Sequence, residues 1–333
     1  MRLRSAALAL TLAATLALVL AAVPAAATPT PQRTTIRVGS PQKVSSQWPF
    51  WMAMQRGGFT ARNLDIDFDV TRTEPLTLQY LASNSIDIAV TSPGIALTAV
   101  EAGARIAAIG GLQNRMTYYL VGRPDVRTLA DLRGKSVGVD QVRGALPAIA
   151  KALIAPSGLV AEQDYELRIT GAQSERYAAL VANQTAATIL APPFDSRARA
   201  EGYTVLAETL RDLPPLQWNV YMVERGWGEA HRDALASFLA AMRQSADWLY
   251  DPSNREEAIR RLTAELNVDE AIIRGDYAFL VEQNQVFSRD GNFDRQGMES
   301  YITLFLSDGL IPSPRPPLER YVDTSYWEAS LQR

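Results

Sequence analysis

Two hydrophobic spacings take turns along this chain. Residues 35–39 (TIRVG), 65–70 (DIDFDV) and 86–90 (IDIAV) alternate apolar with polar positions, the two-residue period of half-buried strands. A fourth strand is expected at 106–110. Between these runs lie stretches of helical character: one opened by Trp48 and Pro49, one over 75–82 and one over 95–102. The alternation resumes with strands at 118–123, 135–139, 165–169, 187–190 and 204–207, and helices at 146–153, 174–181 and 194–200. Within 146–153, Leu146, Ile149, Ala150 and Leu153 fall at i, i+3, i+4 and i+7, one apolar helix face. Leu213, Pro214 and Pro215 break the pattern, 217–223 (QWNVYMV) reads as one more strand, and helices follow over 231–250, 256–266, 269–283 and 295–307. Strand and helix in alternation predict an α/β fold with mostly parallel sheets.

Prolines punctuate the pattern. Pro49, Pro75, Pro93, Pro147 and the pair Pro192-Pro193 each follow a strand and open a helix, where a missing N–H costs nothing. In open α/β sheets the strand C-termini and helix N-termini share one edge, and ligands bind there. Several helix N-termini on one edge favour an anionic group. The stretch 129–153 (LADLRGKSVGVDQVRGALPAIAKAL) shows the arrangement most clearly: a strand, the polar loop Gln141, Val142, Arg143 and Gly144, then a helix. Its unpaired Gly144 and Ala145 amides and the Arg143 guanidinium offer donors to the oxygen atoms of a ligand. The competing reading is an ordinary strand-to-helix connection, with Arg143 turned outward and paired with an acid such as Asp140.

Composition narrows the chemistry. A chain of 333 residues, 47% apolar and 21% charged, has material for about two domains and a sizeable core. There is no cysteine, so disulfides, thiolate nucleophiles and cysteine-held metals are excluded. The single histidine, His231, leaves no histidine cluster for a metal; it stands among polar neighbours and is expected at the surface. Residues 1–27 read as a secretory signal peptide: Arg2 and Arg4, an uncharged Ala/Leu-rich run, then Ala25, Ala26 and Ala27 at a cleavage site. A retained membrane anchor is the alternative, because the run is nearly long enough to span a bilayer. Residues 28–34 read as a Pro/Thr linker. Removing Arg2 and Arg4 leaves 31 basic against 36 acidic residues, a net charge of −5 instead of −3, which argues against nucleic acid or an anionic membrane as partner.

Three segments carry a family likeness: SIDIAVTSPG at 85–94, VRTLADLRGKSVGV at 126–139 and TAATILAPPFDSRARAEGY at 185–203. With them the chain resembles the periplasmic substrate-binding proteins of ABC importers, in the branch serving nitrate, aliphatic sulfonates, taurine and thiamine-pyrimidine precursors. The resemblance implies a two-lobed type II periplasmic-binding-protein fold, each lobe a mostly parallel sheet flanked by helices, with two crossover strands as hinge. Lobe one would comprise 35–121 and 218–333, and lobe two 122–217. Carried over, the ligand-binding wall would include Gln42, Gln47, Trp48, Thr91, Ser92, Gln141, Arg143, Gly144, Ala145, Phe194 and Trp218. Trp48, Phe194 and Trp218 would either offer flat apolar surface to the ligand or pack into the core and between the lobes; Asp195 would cap a helix or face solvent. Many relatives place Gly-Ser where this chain has Gly144-Ala145, which removes a hydroxyl donor. The implied function is a periplasmic monomer, with no cofactor, that delivers a small organic anion to a membrane permease. Alternatives are a neutral or aromatic pyrimidine-type ligand, docking on a membrane sensor instead of a permease, or an enzyme on the same fold; the pyrimidine-synthesising relatives carry a cysteine-rich motif and a reactive histidine that this chain lacks.

Export is the first testable consequence. Expressed in a Gram-negative host, the protein is expected in the periplasm with Thr28 or a near neighbour as its N-terminus. Intact-mass measurement finding residues 1–27 retained on membrane-bound material would overturn this.

Overall fold

The computed structural model describes residues 33–333; the segment expected to be a signal peptide and most of the expected linker lie outside the described residues. Arg33–Arg333 forms one compact unit. Its strands are β1 (Thr34–Ser40), β2 (Leu64–Val70), β3 (Ile88–Thr91), β4 (Ile106–Gln113), β5 (Tyr119–Gly122), β6 (Ser136–Val139), β7 (Glu166–Ile169), β8 (Ala187–Leu190), β9 (Thr204–Glu208) and β10 (Asn219–Glu224). Helices α1 (Trp48–Gln55), α2 (Glu74–Ala82) and α3 (Pro93–Glu101) belong to the first lobe; α4 (Ala145–Ile154), α5 (Gln173–Val181), α6 (Phe194–Ala200) and α7 (Thr209–Asp212) belong to the second. The chain then adds α8 (Arg225–Ala230), α9 (Arg232–Tyr250), α10 (Arg255–Leu266), α11 (Glu270–Tyr277), α12 (Arg295–Ser307) and α13 (Ser325–Ser330).

The strands form two five-stranded sheets, ordered β2-β1-β3-β10-β4 and β7-β6-β8-β5-β9. Both repeat one plan. β1 pairs in parallel with β2 and β3, and β6 with β7 and β8. One reversed strand is then inserted, β10 against β3 and β4 in the first sheet and β5 against β8 and β9 in the second. In each case the reversed strand is the one that arrives from the other lobe. The sheets are therefore mixed. β5 is hydrogen-bonded wholly within the second sheet and β10 wholly within the first. The crossings are the short segments 114–118 and 213–218, joined where Met116 N–H donates to the Leu216 carbonyl at 3.0 Å and Trp218 N–H to the Gln113 carbonyl at 3.0 Å.

One apolar cluster runs from the first lobe into the second, including Leu97, Leu120, Val139, Ile149 and Phe305. A second fills the other face of the first sheet, where α9 buries Leu235, Phe238, Leu239 and Leu249. Phe238 stacks on Phe59 at 5.2 Å and meets the Tyr221 ring edge-on at 5.1 Å. Burying a side chain of this size is worth roughly 1.5–3 kcal/mol. The helix expected over 269–283 changes character at Ala278–Gln283, which winds as a π-helical turn carrying Phe279. His231 is half-buried, with its ring stacked 4.2 Å from that of Trp227 and Nδ1 2.8 Å from the Trp227 carbonyl. The flat face of Trp227, invisible in the polar sequence context, accounts for that difference.

Gly111 on β4 marks the tightest backbone approach. A Cβ there would lie 2.5 Å from the Asn292 carbonyl oxygen and 2.7 Å from Phe293 Cα, both main-chain atoms that cannot rotate away. Gly111→Ala is expected to destabilise the protein by about 1–3 kcal/mol in urea unfolding; a variant as stable as the parent would contradict the close packing of 291–293 on β4.

Candidate functional site

The C-terminal ends of β2, β3, β6 and β8 deliver their loops to the gap between the two sheets, the edge at which α/β folds bind ligands. Two clusters of polar side chains meet there.

The first lies beside the crossings. Glu74, at the start of α2, accepts hydrogen bonds from the Ser92 amide at 2.8 Å and the Ser92 hydroxyl at 2.9 Å. Burial pushes its carboxyl up; the two Ser92 bonds and the neighbouring Thr91 hydroxyl pull it back, and the charge of Asp140 adds to the rise. Thr91 Oγ1 is buried and makes no well-aligned hydrogen bond. Asp140 ends β6 from the second lobe. Its residue surface stays open to solvent, yet crowding raises its carboxyl too, opposed by Arg176. Arg176, on α5, is only 4% exposed. Its Nε donates to the Ile189 carbonyl and one terminal nitrogen to the Gly171 carbonyl, each at 3.0 Å. Among the described residues its other terminal nitrogen has no hydrogen-bond partner. Tyr118 and Tyr301 complete the cluster, both hydroxyls held far above their ordinary titration range by burial. Tyr301 OH has no partner, and the Tyr118 ring meets Trp218 edge-on at 5.0 Å.

The second cluster lies across the gap. Asp195, in the first turn of α6, is 1% exposed, so it does not face solvent. One carboxylate oxygen accepts from Arg199 at 2.9 Å; the other, Oδ1, is buried with no partner. Burial raises its carboxyl and Arg199 opposes the rise. In the first lobe, Asp276 on α11 is pushed up to about 6, chiefly by burial, with the charge of Asp195 adding and a hydrogen bond from Ser45 subtracting. The rings of Tyr119 and Phe279, one from each lobe, lie 6.2 Å apart.

The candidates read from sequence divide between these places. Thr91 and Ser92 belong to the first cluster, but both Ser92 donors are already committed to Glu74. Gln47 is buried, giving its amide N–H to Ser40 at 2.5 Å and leaving Oε1 unpartnered. Trp48 is fully buried in the first-lobe core against Tyr277, so it offers no open face; its indole N–H lacks a partner. Phe194 is half-buried against Tyr177 at 5.6 Å, and Trp218 is half-buried beside Tyr118. Gln42 and Gln141 are exposed, and Gly144 and Ala145 are half-buried. Arg143 reaches across to the first lobe instead of pairing with Asp140. It is exposed and donates to the Gly309 carbonyl at 2.8 Å, while Lys151 pairs with Asp308 at 2.6 Å. The Gly309 carbonyl and the Asp308 carboxylate, just past the C-terminal end of α12, hold these two cations there, and Asp140 faces Arg176 instead. Glu74, Asp140, Arg176, Tyr118, Tyr301 and Asp276 were not singled out from the sequence. Arg176 and Asp276 had a detectable signal, since each is a charge at i in an otherwise apolar i, i+3, i+4 helix stripe.

A recess of about 600 Å³ on the outer edge of the second lobe, near Lys135, Asp164, Arg168 and Thr185, lies away from both clusters; its charges are taken up by the Arg133–Asp164, Arg168–Glu166 and Lys135–Asp125 pairs. Among the described residues no group of acids and histidine could hold a metal ion, and no helix is long and apolar enough to cross a membrane.

The family profile described as "NMT1/THI5 like" matches residues 45–255, well over half of the chain. The protein belongs to the NMT1/THI5-like family. No curated protein sequence matches it significantly. Among solved structures it is similar to the periplasmic aliphatic sulphonate binding protein SsuA from Escherichia coli, at 18% identity and TM-score 0.71, over 89% of this chain and 99% of that one. SsuA from Xanthomonas axonopodis pv. citri, bound to MOPS, aligns at 21% identity and TM-score 0.68, over 89% of this chain and all of that one. The desulfurization enzyme DSZB aligns at 15% identity and TM-score 0.62, over 90% and 99%. At these identities the likeness establishes the two-lobed periplasmic-binding-protein fold that this NMT1/THI5-like chain adopts.

Arg176 and Arg143 are expected to separate cleanly in unfolding experiments. Arg176→Gln strands two main-chain carbonyls and leaves Asp140 without its buried counter-charge, for a loss of about 3 kcal/mol. Arg143→Ala removes one exposed hydrogen bond and should cost under about 1 kcal/mol. Equal losses would contradict these assignments.

Proposed function

We propose that this protein is the substrate-binding component of an ABC importer, capturing a small organic solute between its lobes in the periplasm and presenting it to a membrane permease. The observation that carries this reading is the first cluster. Glu74, Thr91 and Tyr301 from the first lobe, Tyr118 from a crossing, and Asp140 and Arg176 from the second lobe converge on one place, with buried hydroxyls unsatisfied. Buried polar atoms without partners are costly, and a ligand supplying the missing hydrogen bonds removes that cost. Because the groups come from both lobes, such a ligand favours the state in which the lobes are held together. An acidic group on the solute fits the free edge of Arg176, and the Tyr118–Trp218 pair gives its carbon skeleton a flat apolar wall. Nothing in the cluster resembles a nucleophile with an adjacent base: there is no cysteine, and the one histidine is stacked on Trp227. Capture without bond cleavage is the chemistry this set of residues performs best. The twin carboxyls Glu74 and Asp140 also suit a neutral ring rich in N–H donors, which keeps a pyrimidine-type ligand as the second reading.

The test is a thermal-shift screen of the mature protein against small sulfonates, carboxylates and aminopyrimidines, followed by calorimetry on hits. A true ligand at 100 times its Kd should add roughly 2.7 kcal/mol of stability. Glu74→Gln and Tyr301→Phe should weaken that ligand about tenfold or more while leaving the unliganded fold intact. A screen without any stabilising solute, or a hit that both variants bind like the parent, would sink the proposal.

A further inference from the structure

We propose that residues 295–317, helix α12 and the loop after it, form a releasable strap: fixed at both ends to the first lobe and clasped in the middle to helix α4 of the second, it sets how readily the two lobes separate. This rests on the reading of the gap between the lobes as the place where a solute enters, and it adds a control on that opening. Chain order makes the strap. Ahead of it, the Gly111 N–H on β4 donates to the Gly291 carbonyl at 3.1 Å, and the Asp294 N–H to the Gln217 side chain at 2.7 Å. Beyond it, Ala108 on β4 donates to the Tyr321 carbonyl at 2.9 Å and accepts from the Asp323 N–H at 2.8 Å. Tyr321 OH and the Arg320 guanidinium both hold Glu101, at the end of α3, at 2.7 and 2.8 Å. Both ends therefore belong to the first sheet and its helices. Between them, α12 packs against α4 as well as α3.

The contact with α4 is tight at one end and loose at the other. Near the helix N-termini, a Cβ on Gly94 of α3 would lie 2.6 Å from the Phe305 ring of α12 and 3.2 Å from Ala145 Cβ of α4, so three helices meet there. Further along α4 the fit opens. A recess of about 340 Å³ lies between Ala152 and the crossing residues Leu213, Pro214 and Leu216 on one side and Leu304 and Ser307 of α12 on the other. Beside that recess the strap is held by two polar contacts, Lys151 to Asp308 at 2.6 Å and Arg143 to the Gly309 carbonyl at 2.8 Å. Lys151 and Asp308 are half-buried, while Arg143 and Gly309 are exposed. Contacts of this kind are individually weak and screened by salt, so the clasp can let go. Arg315 folds the loop back onto α12 through Thr303 Oγ1 at 3.1 Å and the Glu299 carbonyl at 3.2 Å, which keeps the strap in shape whether or not it is clasped. A contact made only while the lobes are together shifts their equilibrium toward that state by its own free energy.

Charge reversal tests the clasp in the ligand-free protein, so the answer does not depend on finding a solute. Because the chain has no cysteine, Asp247→Cys on the exposed side of α9 and Ala182→Cys after α5 give one labelling site in each lobe. Distances between two spin labels would be recorded by pulsed electron resonance for this pair alone and combined with Lys151→Glu, Asp308→Lys or both. Each single reversal sets like charges together and should raise the population of longer interlobe distances about threefold or more. The double reversal restores an opposite pair and should return the distribution to that of the parent. On unmodified protein, raising salt from about 0.05 to 0.5 M shortens the Debye length and should increase the radius of gyration in small-angle X-ray scattering. That arm stands even if a variant folds poorly, which circular dichroism and melting temperature would reveal. Single reversals that leave the distances unchanged, a double reversal no nearer the parent than the singles, or scattering insensitive to salt would each overturn the strap while leaving capture between the lobes in place. Absence of any stabilising solute would remove the proposed function but not the response of the lobes to charge reversal.

Discussion

The two lobes are arranged around one completely buried amide. Gln217 gives its N–H groups to the Gln113 carbonyl, the Asn114 side chain and the Asn219 carbonyl, at 2.9–3.0 Å, and its carbonyl oxygen accepts the Asp294 amide at 2.7 Å. One side chain thereby ties the end of β4, the start of β10 and the entry of α12. An amide has donors and an acceptor oxygen, so this residue adds the entry of α12 to the two segments that main-chain hydrogen bonds already join. Gly297 makes room for the main chain there, since a Cβ would sit 2.7 Å from the Gln217 main-chain nitrogen. A fully satisfied buried amide of this kind is costly to break and fixes the geometry around it. With both crossings anchored at one point, the pivot between the two sheets is fixed before any ligand arrives.

Around that fixed point the lobes touch on two flanks of different character. On one, Arg143 and Lys151 grip the C-terminal end of α12 through Gly309 and Asp308. These contacts are charged and partly solvated, and such pairs are individually weak. On the other, Tyr119 and Phe279 meet ring to ring, with Phe279 delivered by a π-helical turn instead of a regular helix. Such turns are frequent where a helix has been bent to serve a site. The interlobe region is thus closed by polar contacts on one side and aromatic ones on the other, with Glu74, Asp140 and Arg176 between.

Much of the scaffold was legible in the residue pattern, because short strands and amphipathic helices leave strong local periods. Strand 187–190 and helices 194–200 and 295–307 emerge with the same boundaries in pattern and structure. Sheet order was harder, since nothing local in YLVG says that it inserts antiparallel between β8 and β9. The site was least legible. Arg143 stood out because its loop precedes a helix, yet the Gly309 carbonyl that holds it lies 166 residues away. Glu74 gave no signal at all: an acid in a first helical turn is ordinary, and only the fold brings Ser92 and Asp140 to it. Arg176 and Asp276 did break an apolar stripe. A charge where periodicity calls for a hydrophobe is better evidence for a buried functional group than a charge in a polar loop, because burial must be compensated by something specific.

That compensation is incomplete in the cleft, and the imbalance has a direction. Glu74, Asp140, Asp195 and Asp276 all have carboxyls raised by burial, while the cations near them, Arg176 and Arg199, number two and are partly spent on carbonyls or on Asp195 itself. Each raised carboxyl means the ionised form is under-solvated where it stands. A ligand contributing only acceptors would deepen the deficit everywhere except at the free edge of Arg176. One contributing donors at both ends of the gap would relieve it at each carboxyl in turn, and would do so only when both lobes are in place. On the proposed reading, the charge distribution couples selection of the solute to closure of the lobes: the groups that would discriminate among solutes are the same groups whose burial is left uncompensated between the sheets.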